Sequence, residues 1–139
     1  MSEPADRKIQ QDVAGLMVRY ATGIDRRDWK LLRSCFTDDC VADYGDVGQW
    51  SGGDAITEWM RNTHEPLGHT LHRITNVSLG TDGDALTARS YVDAIVLGPG
   101  NVGGAQAAGY YYDVVVETPA GWKIARRTYT MVRVVAIES

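Results

Sequence analysis

A chain of 139 residues, 44% hydrophobic and 23% charged, is large enough to bury the core of one soluble domain without metals or disulfides. A net charge of −4, with basic residues scattered as Arg19, Arg26, Arg27, Arg33, Arg61 and Arg73, excludes a stripe for nucleic acid, and every apolar stretch stops short of the roughly 20 residues of a membrane span. Cys35 and Cys40 lack metal-ligand spacing with the histidines, and no charged-then-apolar leader precedes Gln10, so a reduced, cytoplasmic setting is expected.

In chain order, Ile9, Val13, Leu16, Met17, Tyr20 and Ile24 recur at helical spacing and predict a first helix from Lys8 to Ile24, weakened at its end by Gly23. Asp28 suits the N-cap of a short second helix through Leu32, and Thr37-Asp38-Asp39 reads as a turn before a strand from Val41 to Tyr44. A glycine-bearing link, Gly45 to Gly53, leads to a third helix from Asp54 to Asn62, with Asp54 serving its N-terminus. The period then changes to two. Strands are predicted near His69 to Leu79, Ala85 to Leu97, Ala105 to Thr118 and Gly121 to Ile137, with hairpin turns at Asp82-Gly83 and Pro119-Ala120-Gly121. Helices followed by long hairpin-connected strands predict a single α+β domain over residues 1–139. Its curved antiparallel or mixed sheet forms a cone over three N-terminal helices, with a pocket inside. Gly98 to Gly104 lacks the Lys-Ser/Thr ending of a phosphate loop and leads into a strand, so it reads as a flexible hairpin tip over the pocket mouth.

Tyr20, Asp25, Tyr44 and His72 are polar residues in segments that otherwise read as core. A histidine oriented by a carboxylate, with phenols to steady an oxygen, is equipped to move a proton on and off carbon. Asp25 sits near a helix C-terminus, where the dipole disfavours a carboxylate by up to about 1 kcal/mol. Either Arg26 and Arg27 compensate in solvent, or a histidine does so inside the pocket. Five helical residues turn about 500°, which leaves Tyr20 and Asp25 roughly 140° apart, so both face a pocket only if the helix ends or distorts near Gly23.

On the strand from His69, alternation puts Thr70, His72, Ile74 and Asn76 on one face and Leu71, Arg73, Thr75, Val77 and Leu79 on the other. His69 then points away from His72 and His64 lies in the preceding loop, so no three-histidine metal site is expected. Asp93 is either a second pocket carboxylate or the ion-pair partner of Arg126, Arg127 or Arg133. Tyr110-Tyr111-Tyr112 must split between the two sheet faces, and the tryptophans suit core or interface anchoring. Asp93, Asn76, Trp59 and Tyr112 are the candidates for contact with a ligand. Apolar and aromatic residues after Ala105 on the outer sheet face call for a cover, and a homo-oligomer, dimer or trimer, is expected.

This order of features resembles the nuclear transport factor 2-like superfamily, and within it the SnoaL-like branch of dehydratases and cyclases. The resemblance covers nearly the whole chain. It rests on Tyr20 through Trp29, on Cys35-Phe36-Thr37-Asp38-Asp39 leading to Asp43-Tyr44-Gly45, on Gly52 through Ile56, on Thr70-Leu71-His72 with Asn76, and on Gly121-Trp122-Lys123-Ile124. Scytalone and bile-acid 7α-dehydratases use pocket Tyr, Asp and His residues, which Tyr20, Asp25, Tyr44 and His72 would match. Hexachlorocyclohexane dehydrochlorinases use an Asp–His dyad, matched by Asp25 and His72. Ketosteroid isomerases carry a carboxylate base just after the Asp-Asp turn, where this chain has Tyr44, and the Asp–Arg–Asp set of limonene epoxide hydrolases finds only Arg89 and Asp93. The resemblance therefore implies a lyase without cofactor or metal, acting on a hydrophobic ringed substrate with a carbonyl. His72 would take the proton, Asp25 orient it, and Tyr20 and Tyr44 hold the developing enolate or the departing hydroxyl. The alternatives are a polyketide-like cyclase, a steroid-type isomerase, or a non-catalytic binding or assembly domain.

Overall fold

The computed structural model describes residues 3–139, with side chains from residue 6 onward. Three helices, α1 (Glu3–Asp25), α2 (Trp29–Ser34) and α3 (Gly53–His64), accompany six strands: β1 (Phe36–Asp43), β2 (Gln49–Ser51), β3 (Thr70–Asp82), β4 (Ala85–Leu97), β5 (Gly104–Thr118) and β6 (Gly121–Ile137). The strands form one open, curved sheet in the order β2-β1-β6-β5-β4-β3, antiparallel except for the β1–β6 pair. It is therefore the expected α+β arrangement, with a mixed sheet that stays unclosed at β2 and β3. α1 packs against β3 and α3 against β1, and the core lies between them, with Val13, Leu16, Met17, Tyr20 and Ile24 of α1 meeting Phe36, Val115 and Ile124 of the sheet.

Several local expectations change. Thr37-Asp38-Asp39 lies within β1, whose pairing with β6 is irregular between Phe36 and Val41. Asp38 and Asp39 are exposed there, and Arg33 bonds Asp38 at 2.6 Å and Asp54 at 2.7 Å. The glycine-bearing link contains β2, a strand too short for periodicity to reveal. Asp28 does cap α2, accepting from Leu31 N–H at 3.1 Å, but the N-cap of α3 is Gly52, with Asp54 in the first turn. Gly23 does not end α1. A Cβ there would fall 2.8 Å from the Leu32 backbone nitrogen, so glycine is needed where α1 and α2 touch.

The segment after β4 is not a free tip. Asn101 Oδ1 accepts from His69 N–H at 2.7 Å and Gly68 N–H donates to Gly98 O at 3.0 Å, which pins it to the link entering β3. Among the described residues no helix is long and apolar enough to cross a membrane, and no cluster of three or more His, Cys, Asp or Glu is placed to hold a metal ion.

Candidate active site

A cavity of about 170 Å³ opens inside the cone. Its walls include Tyr20 of α1, Tyr44 after β1, Trp59, Met60 and His64 of α3, His72 of β3, Val92, Ala94 and Val96 of β4, Ala107 and Tyr111 of β5 and Tyr129 of β6. The space exists because small side chains sit on the sheet floor: Ala94 and Ala107 face one another across β4 and β5.

His72 forms one wall, and Asp25 stands behind it. The His72 Nδ1 lies 2.7 Å from Asp25 Oδ1, and the His72 backbone N–H donates to Oδ2 at 2.8 Å. Thr70 Oγ1 adds a bond to Oδ1 at 2.9 Å. Burial alone would raise the Asp25 carboxyl, but the side-chain and backbone bonds from His72, its charge and the Thr70 hydroxyl outweigh it and hold Asp25 below the ordinary value of 3.8. A carboxylate has no proton to give, so Nδ1 donates and the acceptor lone pair of the neutral ring falls on Nε2. Nε2 has no hydrogen-bond partner among the described residues. α1 runs undistorted to Asp25, so the angular separation from Tyr20 persists: Tyr20 lines the cavity, whereas Asp25 does not and acts on it through the imidazole.

Opposite this pair is a cluster of phenols. Tyr20 Oη lies 3.0 Å from Tyr44 Oη and 3.2 Å from Tyr111 Oη. Burial pushes all three phenols above their ordinary value of 10, so they stay protonated. Three hydroxyl protons and two mutual bonds leave one proton for something in the cavity. Beneath them Arg127, fully buried on β6, makes two bonds to the equally buried Asp113, at 2.8 and 2.9 Å. Burial disfavours the guanidinium charge, but the Asp113 carboxylate outweighs it, so Arg127 stays charged. Its carbon lies 4.2 Å from the Tyr20 ring centre and 3.6 Å from that of Tyr111, and Nη1, which has no hydrogen-bond partner among the described residues, belongs to a group seated on those π faces.

Of the residues singled out in the sequence, the structure brings Tyr20, Tyr44, Trp59 and His72 to one cavity, with Asp25 bonded behind. Three others lie elsewhere. Asp93 is on the outer face, bonded to Arg73 at 2.6 Å and to Gln106 at 3.0 Å, because the β3–β4 register sets Arg73 directly opposite it. Asn76 takes a positive φ of 55° at a β3 irregularity between Thr75 and Ser78, which turns it outward and returns Val77 and Leu79 to the inner face. Tyr112 is 39% exposed while its neighbour Tyr111 is buried in the cavity wall, since adjacent strand residues face opposite ways.

Tyr111, Tyr129, Arg127 and His64 are the site residues that sequence reasoning missed. His64 closes α3 instead of lying in a loop, with Nδ1 2.8 Å from Met60 O and its ring 6.1 Å from that of His72. A helix phase carried one turn beyond Asn62 would have found it, four residues after the buried Met60.

A model of the SnoaL-like domain matches residues 7–128. An uncharacterised protein of Mycobacterium tuberculosis is 32% identical over 133 residues, covering 94% of this chain and 88% of its own length. Among solved structures, a scytalone dehydratase-like protein from Novosphingobium aromaticivorans superposes with a TM-score of 0.87 at 21% identity, over 96% of this chain and 91% of its own. A type 2 hexachlorocyclohexane dehydrochlorinase does so with a TM-score of 0.86 at 18% identity, over 99% and 95%. At these identities the two structures share the fold with this chain.

Proposed function

The chain belongs to the SnoaL-like domain family, and from that premise we propose that it is a small-molecule lyase. It removes water, or another β-leaving group, from a compact hydrophobic ringed substrate bearing a carbonyl. The observation that carries this reading is the imidazole of His72, bonded to Asp25 through Nδ1 and facing the phenol-lined cavity. In the proposed step, the Nε2 lone pair takes the proton from the carbon next to the carbonyl. The C–H electron pair becomes an enolate, whose oxygen accepts the phenol proton left free by the tyrosine cluster. The imidazolium, steadied by Asp25, then gives its proton to the departing hydroxyl. The enolate electrons restore the carbonyl and form the new double bond as water leaves.

The neighbours named for dehydratase and dehydrochlorinase chemistry support elimination as the reaction class. The test is a screen of hydroxylated cyclic carbonyl compounds for loss of water by mass. On the compound that the wild type converts, His72→Ala and Asp25→Asn each lose most turnover while circular dichroism shows the fold intact. Wild-type turnover in either variant sinks the dyad. A product of unchanged mass keeps the proton abstraction but replaces elimination with isomerisation or ring closure.

A further inference from the structure

α1 ends in a hydrogen-bond pattern that glycine usually serves. Arg27 N–H donates to Ile24 O at 3.0 Å and Asp28 N–H donates to Gly23 O at 2.8 Å, the paired bonds of a Schellman cap. The residue at its left-handed position is Arg27, with φ 57°. A side chain is strained in that conformation, and a residue that keeps one there invites the question of what the side chain does. One contact of the guanidinium reaches a residue bonded to the Asp25–His72 pair, and the others hold the backbone around it. Nη1 donates to Ile24 O and to Thr70 Oγ1, both at 2.9 Å, and Nη2 donates to Gly68 O at 2.6 Å. The first and last of these tie the end of α1 to the link entering β3, the two segments that carry Asp25 and His72.

The middle contact has a further effect. A threonine hydroxyl has one proton and two lone pairs, and an N–H aimed at Oγ1 can only meet a lone pair. The Thr70 proton is thereby committed to its other neighbour, Asp25 Oδ1, at 2.9 Å. We propose that Arg27 is a positioning residue of the Asp25–His72 pair: by occupying Thr70 it fixes that hydroxyl as a donor to Asp25, and so fixes the carboxylate that orients the imidazole. This rests on the reading of the pair as the working centre of the site. The other charged or titratable groups near it are His64, across the cavity wall, and Glu65 and His69, which share a surface crevice with Asp25 and Arg27. Arg73 is occupied on the outer face by Asp93.

The test needs no substrate. The His72 imidazole is titrated by NMR in the unliganded protein, together with the low-field Nδ1–H resonance of a histidine bonded to a carboxylate. The variants are Arg27→Gly, Thr70→Val and the two combined. Glycine is the residue the left-handed position favours, so Arg27→Gly relaxes the backbone and keeps the fold. Each single variant is expected to raise the proton affinity of His72 about threefold, because a carboxylate with one fewer committed donor accepts more strongly from the imidazolium. The combined variant then shifts no further than Thr70→Val alone. Additive shifts would make Arg27 a remote charge, and an unshifted Arg27→Gly would make it a helix cap only; either overturns the proposal. Asp25→Asn is the control. If it lowers His72 proton affinity, the pair is coupled and any failure belongs to Arg27 alone, whereas an unchanged titration overturns the pair and the relay with it.

Discussion

Acid should destabilise this protein through His64 before it reaches the Asp25 carboxylate. Burial pushes His64 from the ordinary value of 6.5 down to about 4, and the bond to the Met60 carbonyl opposes this only in part. Between those two values the unfolded chain binds a proton at this position that the folded chain refuses, so stability falls as pH falls. Binding curves set at 6.5 and about 4 diverge by about 2 kcal/mol between pH 7 and pH 5, toward a limit of about 3 kcal/mol below both. Asp25 does not enter this window. Its carboxyl is held below 3.8, so the stability it contributes is present above that value and is lost only as pH falls through the folded one. His64→Gln is uncharged throughout. Urea unfolding of wild type and variant at pH 7 and pH 5 should therefore show their difference in unfolding free energy moving by about 2 kcal/mol in favour of the variant. Subtracting the variant cancels the other titrating groups. A difference that stays constant across the two pH values would refute the assignment of His64 as a histidine buried in its neutral form.

Two further outcomes follow from the packing. Asp113→Asn leaves the Arg127 guanidinium buried without a counter-charge and should cost about 3–5 kcal/mol in a denaturation experiment; a loss under about 1 kcal/mol would mean that the tyrosine faces alone can hold it. Ala107→Leu places three more carbons in a cavity of about 170 Å³ while leaving Asp25 and His72 themselves unaltered. It should abolish calorimetric binding of any small aromatic probe that the wild type takes up, such as 2-naphthol, while circular dichroism shows the fold intact. Unchanged affinity would place the ligand elsewhere.

What the sequence revealed depended on how local the determinants were. β4 and β6 could be bounded at both ends, because the hairpin turns at Asp82-Gly83 and Pro119-Ala120-Gly121 and the two-residue period are written within a few positions. Asp25 and His72 could be paired although 47 positions apart, because each is a polar group in an apolar setting and each would be costly there alone. Strand phase was less accessible. Whether Tyr111 or Tyr112 enters the cavity depends on pairing with β6, which slips between Ala108 and Gly109 through a bulge that no alternation count foresees. The outward turn of Asn76 has the same origin in β3. The Arg127–Asp113 pair was hidden for another reason. Each residue taken alone reads as a surface charge, and only their direct opposition across β5 and β6 makes burial tolerable.

The position of β6 bears on how the protein comes into being. β6 lies between β1 and β5, so the strand that follows all the others in the chain is the one that joins the two ends of the sheet. Until it emerges from the ribosome, β1 and β2 have no sheet to join, and the contacts that unite the halves join residues as distant in the chain as Phe36 and Ile124. Arg127 and Tyr129 travel on that strand, so the cavity wall is completed in the last act of assembly. A chain halted before Gly121 would carry the candidate proton-transfer pair with no enclosure for it to work in.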